Sequence, residues 1–242
     1  MHRHLPDPAS ADHKTLRARV AELVKVFEKN KGPHRFQNRR DPMAGLVQTL
    51  LTHNTTDPNA FEAFDRMKER YPEWKDVHKA PVKELAETIR IAGLNNQKAD
   101  RIQKLLGFVK QTYGDYTADV LDGMDFDTAM KTFGHLPGVK QKTLAVVLAF
   151  DLGVDVFPVD THVHRLCRRL GFVPDSYDPV KTFKAMRDLV PKGKSYQFHM
   201  HLIWHGRKTC QARNPKCDSC FAREQCLYYQ TLQDGTITGV KE

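Results

Sequence analysis

Four cysteines near the C-terminus constrain this chain more than any other feature of its sequence. Cys210, Cys217, Cys220 and Cys226 have the spacing C-x6-C-x2-C-x5-C, and the chain of 242 residues contains 5 cysteines in all. Four thiolates brought together by so short a stretch can hold a metal centre with little help from the rest of the fold. The spacing predicts such a centre, and by itself it leaves both zinc and an iron–sulfur cluster open.

The remaining cysteine and the N-terminus indicate the compartment. An odd number of cysteines in a chain of this size is a poor fit to a secreted disulfide scaffold. The segment Met1–Pro6 contains no apolar core of a signal peptide, and no apolar run approaches the ~20 residues that a membrane span needs. We therefore expect a reducing, cytoplasmic setting and no membrane partner. Cys167, between Leu166 and Leu170, is expected to be a buried apolar thiol.

The charge balance favours a polyanionic partner. The chain has 38 Lys and Arg residues against 29 Asp and Glu residues, which gives a formal net charge of +9. An excess of this size is typical of proteins that bind nucleic acid. A solvated basic surface explains the same number equally well, so charge alone does not decide.

The hydrophobic periodicity is helical almost throughout, which predicts an all-α fold. Residues 13–30 place Leu16, Val20 and Phe27 on one face and charged residues on the other. Asp41-Pro42 and Asp57-Pro58 are typical helix starts, with an N-cap followed by proline at the first helical position. Pro81 is predicted to open a helix that Gly93 closes, and residues 143–152 are predicted to form a buried central helix.

A short turn and a lysine stand at the start of that central helix. Leu136-Pro137-Gly138-Val139 is predicted to form a tight turn whose backbone N–H groups can bind a phosphate oxygen. The alternative is an ordinary connection between helices. A lysine amine becomes a nucleophile when burial or neighbouring positive charge favours its neutral form, and Lys140 would bring such a charge near Lys142. Position alone does not select Lys142 among so many lysines.

An aspartate follows this helix at Val159-Asp160-Thr161-His162. Its place before an apolar helical face is that of an N-cap. Beside a nucleophilic lysine, the same carboxylate could stabilise a developing cation or move a proton.

Together these segments resemble the endonuclease III family, the helix-hairpin-helix DNA glycosylases that carry an iron–sulfur cluster. The resemblance covers roughly residues 16–229 and depends on four segments in the family's order. They are LLTHNTTD at 50–57, GLNNQKA at 93–99, LPGVKQKT through VDTHVHRLCRR at 136–169, and HGRKTC at 205–210 with the other three cysteines.

The resemblance implies two helical domains that flank a DNA-binding cleft. A six-helix barrel that bears the hairpin would span residues 33–152. A cluster domain would combine residues 13–32 with residues 153–228, and its four cysteines would bind a [4Fe–4S] cluster and not zinc. Residues 1–12 and 229–242 are expected to be tails.

The resemblance also assigns roles to individual residues. Lys142 matches the nucleophile and Asp160 the catalytic aspartate of a bifunctional DNA glycosylase/AP lyase of base excision repair. Its partner would be damaged double-stranded DNA, with oxidised pyrimidines such as thymine glycol as substrates. The protein is expected to act as a monomer, in the cytoplasm and at the nucleoid in a prokaryote.

The expected DNA contacts lie in four parts of the chain. They are Asn54, Leu94, Leu136, Gly138, Val139, Lys140, Arg213 and Lys216. Leu94 matches an apolar wedge, with a packing contact at a helix end as the alternative. Arg213 and Lys216 lie in a loop that metal ligands would pin at both ends, which suits phosphate contact.

Three residues depart from the family pattern. Asn54 stands where close relatives carry glutamine, and the bulky His53 precedes it; both bear on the choice of lesion. Lys140 replaces a second hairpin glycine, which would cost roughly 1–2 kcal/mol if that position requires a positive φ.

Two other functions fit part of the pattern. A monofunctional glycosylase of the same superfamily, which excises adenine or a mismatched base, shares the hairpin, aspartate and cluster but typically lacks the lysine. A non-enzymatic DNA-binding module with a zinc site explains the charge, the turn and the cysteines. The module gives no reason for Lys142 and Asp160 to stand where they do.

Overall fold

The protein is built from α-helices and short 3₁₀ turns. The computed structural model describes residues 8–34 and 41–235, and no β-strand occurs within those two ranges. The predicted all-α fold is confirmed. None of the helices in the described ranges combines the length and the apolar character that a membrane crossing requires.

Twelve α-helices occur in the described part of the chain. They are α1 His13–Lys31, α2 Pro42–Thr52, α3 Asp57–Arg70, α4 Trp74–Lys79, α5 Val82–Thr88, α6 Asn95–Tyr113, α7 Phe126–Phe133, α8 Gln141–Phe150, α9 Thr161–Arg169, α10 Pro179–Leu189, α11 Ser195–Lys208 and α12 Leu227–Gln233.

These helices belong to two compact units. One unit contains the described residues 41–154 and therefore α2 to α8; the other combines residues 8–34 with 155–235 and contains α1 and α9 to α12. The first unit has seven α-helices within its described residues, where the family resemblance led us to expect six. The additional one is accounted for by α4, which is 6 residues long.

The unit of residues 41–154 is organised around α2 and α8. These two helices pack on one another, α2 also contacts α3 and α6, and α7 packs on α8. The side chains of Leu46, Leu50, Leu144 and Leu148 are fully buried. Burial of an apolar side chain of this size contributes about 1.5–3 kcal/mol, so this core fixes the start of α8 firmly.

The other unit is organised around α1 and α11. Helix α1 packs on α10 and α11, and α9 packs on α10, α11 and α12. Phe27 of α1 lies at the centre of a ring cluster, 5.9 Å from Phe198, 5.1 Å from His205 and 4.9 Å from Phe221 between ring centroids. The cluster connects α1 and α11 to the segment that contains the cysteines.

One predicted helix start and one predicted helix end differ from those in the structure. Asp41 caps α2 as predicted, because its carboxylate accepts the backbone N–H of Ala44 at 2.9 Å. The cap of α3 is Thr56 and not Asp57, which already has helical geometry and supplies negative charge in the first turn. The helix after Pro81 ends at Thr88, and Gly93 closes a separate 3₁₀ turn over Arg90–Ala92.

The predicted tails are shorter than expected at both ends of the described chain. Asp12 belongs to α1, since its carboxylate caps the N–H of Thr15 at 3.0 Å. Residues 229–233 belong to α12, whose Leu227 packs against Gly171 and whose Tyr228 lies 4.7 Å beneath the guanidinium of Arg169. Residues 1–7, 35–40 and 236–242 lie outside the described residues.

Candidate nucleic-acid site and metal centre

The predicted hairpin turn connects α7 to α8. The side chains of Leu136 and Val139 are buried, and the N–H of Val139 is donated to the carbonyl oxygen of Leu136 at 3.1 Å. In the described part of the chain, no backbone acceptor is found for the N–H groups of Gly138 or Lys140. The donors that the turn leaves for a phosphate are therefore those two amides together with the first N–H groups of α8.

Gly138 is required at this turn for two separate reasons. Its φ is +83°, in the left-handed region that L side chains rarely adopt. A Cβ atom added here would also lie 2.8 Å from Cδ2 of Leu50 and 2.9 Å from Cδ of Arg101. The backbone of the turn thus approaches α2 and α6 too closely for any side chain.

Replacing Gly138 by alanine is expected to cost more stability than the same change at Gly123. Gly123 has a nearly identical φ of +82° but nothing within 4 Å of an added Cβ, so Gly123→Ala carries only the backbone strain of about 1–2 kcal/mol. Gly138→Ala adds a clash with Leu50 and Arg101. Thermal unfolding compares the stabilities, and a duplex-binding assay should show weaker binding for Gly138→Ala alone. Equal stability and equal duplex binding of the two variants would contradict the close approach of Leu50 and Arg101 to Gly138.

Lys140 carries no backbone strain. Its φ is −122° and its ψ is −175°, an extended conformation open to any residue, so the cost considered for a positive φ does not arise. The side chain is exposed and its Nζ donates to the carbonyl oxygen of Gly134 at 2.9 Å. The departure from the family's second glycine is therefore free of conformational cost and adds a positive charge beside the turn.

Lys142 lies on the first turn of α8 and is exposed. The next residue, Thr143, is buried, and its hydroxyl donates to the carbonyl oxygen of Gly138 at 3.0 Å. This bond ties the turn to the start of the helix. The amine of Lys142 is thus carried by a backbone that both the turn and the core hold in place.

His53 stands close to Lys142 and is held as a neutral ring. Burial, followed by the positive charges of Lys142, Arg101 and Lys98, lowers the pKa of His53 to about 4. Its Nε2 lies 3.5 Å from the hydroxyl oxygen of Thr143. Because that hydroxyl donates its proton to Gly138, it can only accept from His53, and this contact favours the tautomer protonated on Nε2.

We expect His53 to remain neutral down to about pH 4. The unfolded chain takes up this proton near pH 6.5, so the associated stability is present above pH 6.5 and is lost as the pH falls from about 6.5 to about 4. Nitrogen-detected NMR titration of the ring measures the pKa directly, with His53→Gln used to assign the signal. A ring that titrates near pH 6.5 would contradict the burial seen here.

Asn54 and Leu94 adopt left-handed backbone conformations. Their φ values are 53° and 46°, and Asn214 is the third non-glycine residue with positive φ in the described ranges. Asparagine tolerates this region, whereas for leucine it costs about 1–2 kcal/mol. The side chain of Leu94 is also 51% exposed, so about half of it remains accessible for contact with a ligand.

Asp160 caps α9, in the other unit. Its carboxylate accepts the N–H of Val163 at 2.7 Å, which confirms the predicted N-cap. The side chain is half-buried, so one carboxylate oxygen is committed to the helix and the group still reaches the surface. Cys167, one helical turn after Val163 in α9, is fully buried as predicted. Burial raises the pKa of its thiol above the usual range.

The four predicted cysteine ligands line one cavity. Cys210, Cys217, Cys220 and Cys226 surround it together with Leu166, Leu170 and Tyr229, among others. Burial raises the pKa of Cys226 to about 12 and also raises the pKa of Cys217 and of Cys220. The raised pKa values favour the protonated form of these three thiols, so binding of a metal centre would release protons.

The lining of the cavity suits a metal centre bound by thiolates. Its four cysteines stand beside apolar side chains such as Leu166 and Leu170, and four thiolates are ligands of zinc sites and of iron–sulfur clusters alike. Among residues 8–34 and 41–235, no three side chains of His, Cys, Asp or Glu are close enough together to hold a metal ion.

Two arginines of α9 hold the cysteine segment in place. Arg169 donates to the carbonyl oxygens of Gln211 at 2.7 Å and Ala212 at 3.0 Å, and its Nη1 lies 3.4 Å from Sγ of Cys210. Arg165 donates to the carbonyl oxygen of Cys210 at 3.0 Å. Sequence reasoning missed both residues, although arginines four positions apart on a helix share one face and were visible in the sequence.

The cysteine loop exposes its basic residues. Arg213 and Lys216 are both exposed, on either side of Asn214 with its φ of 51°. The N–H of Lys216 is donated to the carbonyl oxygen of Thr209 at 3.0 Å, which closes the loop on itself. The loop thus presents two cations from a backbone fixed by α9 and by its own hydrogen bonds.

The hairpin and the ring of cysteines define a class of helical DNA repair protein, and comparison with known proteins identifies it. The model of the HhH-GPD superfamily of base excision DNA repair proteins matches residues 47–192. This chain belongs to that superfamily and, within it, to the endonuclease III family of DNA glycosylases.

Three relatives show how close the similarity is. An Endonuclease III from Thermotoga maritima is 31% identical over 216 residues, which are 89% of this chain and 94% of that protein. A solved structure of a trapped covalent Endonuclease III–DNA intermediate with an estranged adenine has a TM-score of 0.74 at 30% identity, covering 92% of this chain and 99% of the other. A thymine/uracil-DNA glycosylase from Methanothermobacter thermautotrophicus is 26% identical, over 91% of this chain and 97% of that protein.

Proposed function

We propose that this DNA glycosylase is bifunctional: it excises oxidised pyrimidines such as thymine glycol and then cleaves the strand 3′ to the lesion. The observation that carries the proposal is the placement of Lys142. Its amine is exposed on the first turn of α8, four residues after the glycine of a turn with free backbone N–H groups. A phosphate held by that turn would bring the adjoining sugar near the amine.

Binding begins with the DNA backbone. The amides of Gly138 and Lys140, the charge of Lys140, and the exposed Arg213 and Lys216 supply phosphate contacts that do not depend on sequence. The damaged nucleotide is then turned out of the stack, and Leu94 and Asn54 fill the space that it leaves. The exposure of Leu94 and the left-handed backbone at both residues support these roles.

Base excision and strand cleavage follow from one covalent bond. The neutral amine of Lys142 attacks C1′ of the sugar, the C1′–N bond breaks, and the base leaves with the bonding electrons and takes up a proton. The sugar ring opens and the amine loses a proton to give a Schiff base. That group acidifies the hydrogen on C2′, and its removal expels the 3′ phosphate oxygen by β-elimination.

Asp160 supports this chemistry as a carboxylate. It stabilises the positive charge that develops on the sugar as the base leaves, and it assists the proton transfers. The side chain caps α9 and is still partly exposed, so its carboxylate remains accessible to a bound sugar, which is compatible with the assignment.

The four cysteines are proposed to hold a [4Fe–4S] cluster. When bound, the cluster supplies a structural anchor that fixes the loop bearing Arg213 and Lys216. We expect the purified protein to be brown, with iron and sulfide recovered on acid treatment. Colourless protein that carries one zinc ion would instead favour the DNA-binding module.

The similarity to a thymine/uracil-DNA glycosylase supports a second candidate, removal of thymine or uracil from mismatches. His53 and Asn54 favour keeping this candidate, because Asn54 stands where close relatives carry the glutamine that fills the gap left by the flipped base, and His53 is bulky beside it. In either case, we propose that the protein acts as a monomer on DNA in the cytoplasm.

A panel of duplexes separates the two candidates. Duplexes with one thymine glycol, one abasic site, or one G·T or G·U mismatch are incubated with the protein, and base release and strand scission are measured separately. The proposal predicts scission without alkali at thymine glycol and at the abasic site. Release of thymine or uracil with scission only after alkali would favour the monofunctional candidate.

A further inference from the structure

One buried ammonium group joins two separate segments of the unit that contains Lys142. Lys98, on the first turn of α6, is 1% exposed. Its Nζ donates to the carbonyl oxygen of Leu51 at 2.7 Å and to that of Ala92 at 2.7 Å. Leu51 lies in the last turn of α2, and Ala92 is the last residue of the 3₁₀ turn before Gly93.

Burial of the charged ammonium group of Lys98 is energetically unfavourable. Burial, followed by the positive charge of Arg101, lowers the pKa of Lys98 to about 8, and within the described residues no carboxylate raises it. A lysine is rarely buried without a charged partner. Its hydrogen bonds compensate in part, because the carbonyl of Leu51 belongs to a helix end with no partner inside the helix, where a positive charge is favourable.

Both segments lead directly to a residue whose backbone is in the left-handed region. Asn54 comes three residues after Leu51 and Leu94 two residues after Ala92, and these are two of the three non-glycine residues with positive φ among the described residues. Strained backbone persists where its surroundings over-determine it, and such positions cluster at functional sites. The N–H of Lys98 is also donated to the carbonyl oxygen of Leu94, at 2.9 Å.

We infer that Lys98 is a positioning residue that fixes Asn54 and Leu94 relative to one another, so that both enter the duplex together at the lesion. The inference rests on the proposed function for what the two residues do there. Lys98 itself is buried beneath them and touches neither the DNA nor the reacting atoms. A purely structural lysine would stabilise the core without any specific effect on these two residues.

Lys98→Met tests this role, because methionine fills much of the volume and donates no hydrogen bond. Ile102→Ala is the matched control: Ile102 lies one turn further along α6 and is fully buried, so the change lowers stability, but an isoleucine side chain has no hydrogen bond to either segment to lose. Each variant is compared with the wild type in four measurements. Thermal unfolding reports stability, and hydrogen exchange of residues 52–56 and 92–95 reports the order of the two segments. The other two are the affinity for undamaged duplex and the single-turnover rate of thymine glycol excision. Should Lys98→Met not fold, Lys98→Gln, which keeps an N–H donor, takes its place.

We expect Lys98→Met to accelerate exchange in both segments and to slow excision about a hundredfold, the scale of a misplacement of about 1 Å. Its affinity for undamaged duplex should stay within about twofold of the wild type. Ile102→Ala should lose stability but keep both exchange and excision near wild-type values. If Lys98→Met matches Ile102→Ala in exchange or in excision, the positioning role is wrong.

Different results would contradict the proposed function and the positioning role of Lys98. A wild-type protein that excises nothing from any of the duplexes would contradict the proposed function. The exchange measurement does not depend on activity, so it would still decide whether Lys98 holds the two segments.

Discussion

Lys142→Gln is expected to abolish strand cleavage at both thymine glycol and abasic sites. Glutamine has a similar reach, but its amide nitrogen is not nucleophilic, so no Schiff base forms and no β-elimination follows. Lys142 is exposed, and no hydrogen bond or ion pair of its side chain is found in the part of the chain that the structure describes, so the melting temperature should change little. Gel analysis of product strands measures the cleavage, and calorimetry measures the unfolding.

Lys140→Gln is the matched control for this prediction. It removes one positive charge two residues away, from a side chain that is also exposed. We expect it to weaken duplex binding modestly and to leave cleavage at saturating enzyme intact. A Lys142→Gln protein that still cleaves, or a Lys140→Gln protein that does not, would show that the nucleophile has been assigned to the wrong residue.

Asp160→Asn is expected to separate capping from catalysis. Asparagine is as good an N-cap as aspartate, so the bond from the N–H of Val163 should survive and stability should change by less than about 1 kcal/mol. The negative charge is lost, and excision should fall by about 10²–10⁴-fold, the range for a group that acts in proton transfer and charge stabilisation. Single-turnover kinetics and thermal unfolding of the same preparation measure both effects.

Asp160→Ala completes the comparison for this residue. It removes the cap as well as the charge, and should cost about 1 kcal/mol of stability in addition to the loss of activity. If Asp160→Asn retains wild-type excision while Asp160→Ala loses it, the residue serves only the helix.

The parts of the fold that the sequence predicted well carry local signals. Residues 13–30 have an unbroken apolar face, and α1 runs from His13 to Lys31. The cap at Asp160 and the start of α2 were predicted for the same reason, because a capping residue at the edge of an apolar periodicity is a strictly local pattern.

Two helices, α10 and α11, were not predicted, for different reasons. Helix α11, Ser195–Lys208, buries the polar residues His199, His201 and His205 beside Phe198 and Leu202, so its core face reads as polar. His201 and His205 are buried against Phe27 of α1, and His205 also contacts Cys220. His199 is buried against Phe157 and Pro158. No local pattern contains that information. Helix α10 begins with Asp178-Pro179, the same start signal as α2, and was overlooked despite it.

The residues of the candidate site also differ in whether a local sequence pattern identifies them. The hairpin, Lys142, Asp160 and the cysteines stand in motifs that can be read in order along the chain. The roles of Lys98, His53, Arg165 and Arg169 depend on contacts between residues that are distant in sequence. A buried lysine looks like a surface lysine until the carbonyl groups around it are known.

Borohydride trapping on a duplex that contains one thymine glycol tests the central claim most directly. Reduction would convert the Schiff base into a stable amine, so a covalent protein–DNA adduct is expected, and peptide mapping should place it on Lys142. A known bifunctional glycosylase on the same duplex serves as the positive control. No adduct under conditions where the control is trapped, or an adduct on another residue, would contradict the account.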